Sequence, residues 1–206
     1  MNLVFDFGAV LFTWQPAVLL AQNHAPWVRQ HGGAHALAKA VFHHPDWQAF
    51  DRGSAAQAEV VLRIAQRLSL PHDDVANLVQ GIVLRLTPMQ GTLLLLQRLV
   101  SRRAQHGDIR LYFLSNMPAP YARTLEAMHD FIGWFDGGLF SGDTGHIKPE
   151  PAIYQLMQAR YGLEPERTVF VDDMQVNVQA ARDHGWHAIH FESPDQLARE
   201  LTVWKL

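Results

Sequence analysis

No cysteine occurs among the 206 residues, which excludes disulfides, thiolate metal sites and cysteine nucleophiles. Long apolar runs are missing as well: the longest, around Leu93 to Leu96, is far too short to span a bilayer. No charge of one sign dominates, and a formal net charge of −3 gives no reason to expect nucleic acid or an anionic membrane as a partner. The first residues lack a basic stretch followed by an apolar one, so no signal peptide is expected, and the cytoplasm is the expected location. A further absence is local. In "LVFDFGAVLF" (3–12) an apolar run stops on the carboxylate of Asp6. Two residues later, where phosphate chemistry would use a second carboxylate, stands Gly8.

What is present reads as a globular chain, 48% hydrophobic and 18% charged. Its length suits one substantial domain, or a core with a smaller inserted module. Unbroken apolar runs at 3–5, 109–116, 137–140, 168–173 and 187–191 predict strands covered on both faces, hence a buried parallel sheet. Between them, 89–107, 120–131, 150–162 and 177–185 have helical patterns. Gly107, Gly162 and Gly185 stand where a left-handed residue would close three of these. Alternating strand and helix predicts an α/β fold with a Rossmann-like open sheet flanked by helices. The stretch 14–88 breaks the alternation, offering only helical patterns such as 55–70 and 72–86. The expected organisation is an α/β core domain made of 1–13 and 89–206, with a helical cap domain of 14–88 inserted after the first strand.

Ligands of open α/β sheets bind outside the carboxyl ends of the strands. Those ends carry Asp6, then Ser115 and Asn116, then Asp172 and Asp173. Three converging carboxylates repel one another unless a cation lies between them, and an all-oxygen set selects a hard ion such as Mg²⁺. Lys148, in the loop of "GHIKPEPAIY" (145–154), can reach the same edge and suits a phosphate or an anionic nucleophile. Asn177 could cap its helix. Taken singly, each of these is an ordinary strand end, cap or turn residue.

Together, "VFDFGAV", "FLSN", "GHIKPEPAIY" and "VFVDDMQVN" occur in the order and spacing of four motifs. In this the chain resembles the haloacid dehalogenase-like hydrolase superfamily over about two thirds of its length. Within it, the motifs look most like the alpha-D-glucose-1-phosphate phosphatase-like branch, with the phosphatase domain of soluble epoxide hydrolases a further relative. The resemblance implies a magnesium-dependent phosphomonoesterase acting through an aspartyl-phosphate on a small phosphorylated metabolite, such as a sugar 1-phosphate. It implies Asp6 as nucleophile and Mg²⁺ on Asp6, the Gly8 carbonyl and Asp173, with Asp172 adjacent or acting through water. Ser115 and the Asn116 N–H would hold the phosphoryl oxygens, Lys148 would neutralise nucleophile and phosphoryl group, and Asn177 would orient its loop. Most phosphatases of the superfamily carry a second aspartate where this chain has Gly8, so a general acid is lost and substrates with good leaving groups are expected. Alternatives are a haloacid dehalogenase-type hydrolase, against which the acid pair of "VDDM" speaks, and a non-catalytic phosphate-sensing module.

Other features have plainer readings. "DFG" at 6–8 has no nucleotide loop upstream and is coincidental. Twelve histidines, His31, His35, His43 and His44 among them, lack zincin register. Trp14 and Trp47 are core residues first and ligand-stacking residues second, and Arg52 in "FDRGS" reads as solvated.

Overall fold

A computed structural model describes residues 1–206. Five parallel strands form one sheet in the order β3-β2-β1-β4-β5. The central strand β1 (Asn2–Phe5) lies between β2 (Arg110–Ser115) and β4 (Thr168–Asp172); β3 (Gly137–Phe140) and β5 (His187–His190) form the edges. Leu3, Val4 and Phe5 are wholly buried, as an unbroken apolar run in a sheet covered on both faces requires. Phe5 stands level with Phe113 on one side and Val171 on the other. This register brings Asp6, Ser115 and Asp172 to the same carboxyl edge although they are distant in sequence.

Residues between the first two strands are helical: α1 (Pro16–Asn23), α2 (Ala25–Gln30), α3 (Ala34–Phe42), α4 (Pro45–Asp51), α5 (Gln57–Leu68) and α6 (His72–Ile82). Helix α5 buries Val60, Val61, Ile64 and Ala65, one stripe at helical spacing, and α6 buries Val75, Leu78, Val79 and Ile82. The helical pattern expected to run to Leu86 ends at Ile82, where the chain tightens into a 3₁₀ turn over Val83–Arg85. The two chain crossings between this insert and the sheet are joined to each other. Thr13 N–H donates to the Thr87 carbonyl at 2.8 Å, and Met89 N–H to the Leu11 carbonyl at 2.8 Å. Insert and sheet also share one contiguous hydrophobic cluster, which runs from Leu3 and Phe7 to Leu37, Val41, Ile64 and Val79.

The remaining helices are α7 (Gln90–His106), α8 (Ala119–Met128), α9 (Pro151–Tyr161), α10 (Gln175–Asp183) and α11 (Pro194–Val203). Gly107 and Gly162 close α7 and α9 in the left-handed conformation. Gly185 is also left-handed but stands two residues beyond the end of its helix, after the cap His184. Helix α8 ends at Met128 rather than 131, because His129 is extended and a 3₁₀ turn over Asp130–Trp134 follows. Helix α10 starts at Gln175, before Asn177, which is therefore inside the helix and not its cap. No helix is long and apolar enough to cross a membrane.

Candidate active site

Asp6 follows β1 directly, and its N–H donates to the Val171 carbonyl at 2.9 Å, continuing the pairing with β4. The chain then turns sharply: Leu11 and Phe12 N–H both donate to the Phe7 carbonyl, at 2.9 and 2.8 Å, and Ala9 is left-handed at φ 56°. Phe7 anchors the turn, packed against Phe12, Phe113 and Phe140 with ring centroids 4.8–5.5 Å apart. Asp6 is thus left facing the sheet edge, and its Oδ1 accepts the Phe7 N–H at 2.7 Å.

Lys148 meets Asp6 there. Its Nζ lies 2.8 Å from Asp6 Oδ1 and 2.6 Å from Asp172 Oδ2, with the lysine 3% exposed. The Asn116 side chain grips the lysine backbone, accepting its N–H at 2.7 Å and donating to its carbonyl at 2.9 Å. Burial alone would lower the Lys148 pKa; Asp172 and Asp6 outweigh it and raise it, so the ammonium is a fixed charge. Asp6 is pushed well above the usual carboxylate range by burial and by Asp172 and Asp173, with Lys148 pulling the other way.

The two acids after β4 are not equivalent. Asp172 is wholly buried and has both oxygens engaged, by Lys148, by Met174 N–H at 2.8 Å and by the Asn177 amide at 3.0 and 3.2 Å. Asn177 is itself steadied by Tyr154, whose hydroxyl donates to its carbonyl at 3.1 Å. Asp173 is half-buried and lies on the cavity wall, and burial and Asp172 raise its pKa to about 6. Asp6, Asp172 and Asp173 each offer a carboxylate oxygen within 4.8 Å of the others. Three carboxylates against one ammonium leave an excess of negative charge on hard oxygen ligands, a donor set that fits Mg²⁺.

Asp6, Lys148 and Asp173 line a cavity of about 190 Å³, with Gly8, Ser115, Asn116 and Asn177 also on its wall, while Asp172 lies behind it. Gly8 is not left-handed, and a Cβ there would come no nearer than 3.9 Å to Trp14. The cavity's apolar lining comes largely from the insert, as Trp14, Phe42, Trp47, Ile82 and Leu86, together with Phe12 and Met117. Two insert residues there are titratable, His43 and Asp51. Asp51 escaped sequence reasoning, since an acid at the end of a short helix carries no local mark of burial. Burial pushes its pKa up to about 8, with Asp6 adding to the rise and Lys148 and Trp47 opposing it.

Several other candidates stay outside the site. Both ring nitrogens of His31 lie against carbonyls, of Trp27 and Leu68. His44 faces Asp46 at 2.9 Å. Arg52 is not free in solvent: its guanidinium pairs with both oxygens of Glu150, at 2.8 and 2.5 Å, and donates to the Gly145 carbonyl at 3.1 Å.

Fold and site together define an open parallel α/β enzyme with an acidic, lysine-braced strand edge beneath a helical insert. The model of the haloacid dehalogenase-like hydrolases matches residues 5–185, and the chain belongs to that family. It is accordingly a hydrolase, with phosphatases among its relatives. The sesquiterpene phosphatase astK of Aspergillus oryzae is 27% identical over 203 residues, 98% of this chain and 94% of that protein. The drimenol cyclase drtB of Aspergillus calidoustus is 30% identical over 97% of this chain, which spans about a third (35%) of that protein's length. A haloacid dehalogenase family enzyme from Bacteroides thetaiotaomicron, solved as a magnesium complex, superposes with a TM-score of 0.70 at 19% identity, covering 96% of this chain and 98% of that one.

Proposed function

We propose that this chain is a magnesium-dependent phosphomonoesterase that transfers the phosphoryl group of a small metabolite to Asp6 and then to water. The observation that carries the reading is the position of Asp6, at the floor of a cavity, with Lys148 Nζ 2.8 Å from one oxygen and two further carboxylates beside it. Asp6, the Gly8 carbonyl and Asp173 would hold the ion. Asp172, spent on Lys148 and Asn177, braces the site from behind. When bound, magnesium supplies positive charge to the carboxylates and to the phosphoryl oxygens.

The chain's own residues supply the rest. Lys148 neutralises Asp6 as it approaches phosphorus and remains beside the charge of the transition state. The Ser115 hydroxyl and Asn116 N–H hold phosphoryl oxygens, while the Asn116 side chain keeps Lys148 in place. Segment 14–88 acts as a cap domain over a core of 1–13 and 89–206, joined to it at the paired crossings, and excludes water from the site.

The lining also bears on the substrate. Trp14, Phe42, Ile82, Leu86 and Met117 offer an alcohol portion few hydrogen-bonding groups and much apolar surface. This favours a lipophilic alcohol phosphate over a sugar phosphate, in keeping with a full-length relative that is named a sesquiterpene phosphatase.

The experiment is phosphate release from nitrophenyl phosphate with and without Mg²⁺, for the wild type and Asp6→Asn. Activity is expected to vanish on chelation and to fall by orders of magnitude in Asp6→Asn, with folding kept. Undiminished turnover in excess EDTA, or more than a few per cent of activity in Asp6→Asn, would remove this mechanism.

A further inference from the structure

The proposed reaction needs a proton for the departing oxygen, and the strand edge has no free acid to give one. Asp6 is the nucleophile, Asp172 is spent on its hydrogen bonds, Asp173 would be a metal ligand, and position 8 has no side chain. Acid catalysis of this kind is typically worth about 10²–10⁴-fold, and most for poor leaving groups. The insert brings two titratable side chains to the cavity, His43 and Asp51.

We propose that Asp51, at the end of α4, is the general acid–base of this enzyme, protonating the leaving alcohol from the cap side of the cavity. The inference rests on the phosphatase reading above and adds a catalytic residue to it.

Geometry carries the assignment. Asp51 lines the same cavity as Asp6, Gly8 and Lys148. It is in no ion pair, and the neighbouring Arg52 is taken by Glu150. The turn that bears it is docked on the sheet domain at three consecutive residues. Ser141 Oγ donates to the Asp51 carbonyl, Arg52 bridges to Glu150 and the Gly145 carbonyl, and Gly53 closes on Gly142. At Gly53, left-handed at φ 78°, a Cβ would lie 2.5 Å from the Gly142 oxygen, so the approach is backbone to backbone. An acid on a helix end would ordinarily move with the insert; this one is clamped to the domain that carries the nucleophile.

Burial, the largest influence on its titration, keeps the Asp51 carboxyl protonated near neutral pH, with Asp6 assisting and Lys148 and Trp47 opposing. The other titratable groups facing the cavity are His43, Tyr121 and Asp173. The Tyr121 hydroxyl already donates to the Val79 carbonyl.

The steps balance. As Asp6 Oδ forms its bond to phosphorus, the bond from phosphorus to the alcohol oxygen breaks, and that oxygen takes the Asp51 proton. Asp51, now a carboxylate, accepts a proton from the water that attacks the aspartyl-phosphate. The bond from phosphorus to Asp6 breaks, inorganic phosphate leaves, and Asp51 is again protonated.

The test compares an alkyl phosphate with nitrophenyl phosphate, whose leaving group needs no proton, in wild type, Asp51→Asn and His43→Gln. Read as kcat/KM, which reports only the step in which the alcohol leaves, Asp51→Asn is expected to lose about 10²-fold or more on the alkyl substrate and only a few-fold on the aryl one; His43→Gln should leave the ratio alone. Equal losses on both substrates would reduce Asp51 to a structural role and overturn the proposal. So would an unchanged ratio, or a ratio that moves in His43→Gln instead. If asparagine at 51 does not fold, as judged by a thermal melt, the same ratio is read on Asp51→Ser. Failure of the phosphatase reading is distinct, because the wild type would then release no phosphate from either substrate.

Discussion

Replacing Lys148 by methionine keeps the volume and removes the one cation that holds the strand edge together. Its ammonium lies 2.8 Å from Asp6 and 2.6 Å from Asp172, with the side chain 1% exposed. The substitution therefore strands two buried carboxylates rather than one exposed pair. Removing one partner of a buried ion pair costs about 3–5 kcal/mol. For a chain of this size each kcal/mol lowers the melting temperature by about 2–4 °C. A drop on the order of 10 °C is expected in EDTA at pH 7.5, followed by circular dichroism. The loss must also depend on pH. The carboxyl of Asp6 already titrates above its ordinary value in the wild type, with Lys148 restraining the rise. Without the lysine the rise is larger, so over a wider range the folded chain binds more protons than the unfolded one. Stability then falls as pH climbs from the ordinary value of 3.8 toward the raised one. The deficit of Lys148→Met should accordingly be smaller at pH 5.5 than at pH 8. Added Mg²⁺ should recover part of it, since a cation bound to the folded form alone stabilises that form. A loss under 2 °C, or one equal at both pH values, would refute the claim that Lys148 neutralises these carboxylates.

Gly53→Ala is expected to destabilise by about 2 kcal/mol or more, because a methyl group would meet the Gly142 carbonyl at 2.5 Å in a left-handed backbone. Urea denaturation measures it, and a change within 0.5 kcal/mol would mean that the docked turn yields easily. Gly8→Asp added to Asp51→Asn is expected to recover at least tenfold of the lost alkyl phosphate turnover. Its stability should change by no more than about 1 kcal/mol, since the backbone there is not left-handed and Trp14 is 3.9 Å from the new Cβ. A folded double variant without recovery would mean that an acid at position 8 does not reach the leaving oxygen.

The central strands and the chemistry of their ends were legible in the sequence because both are local. A run such as Leu3–Phe5 can only be buried on two faces, and Asp6, Ser115 and Asp172 then share an edge once parallel register is assumed. The motif order around Lys148 and the acid pair added the family resemblance, which the family match bears out. Helices of the insert were only partly legible. Strong amphipathic stripes marked α5 and α6, whereas α1 to α4 are short and interrupted by Pro26, Gly32, Gly33 and Pro45. Tertiary structure alone decided three matters. It divided the labour of Asp172 and Asp173, because only packing shows that Lys148, Asn177 and Met174 occupy the first and leave the second facing the cavity. It drew Arg52 from solvent onto Glu150, nearly a hundred positions away. And it carried Asp51 to the cavity that holds Asp6: a carboxyl's burial and its neighbours' charges depend on distances through space, which spacing along the chain does not contain.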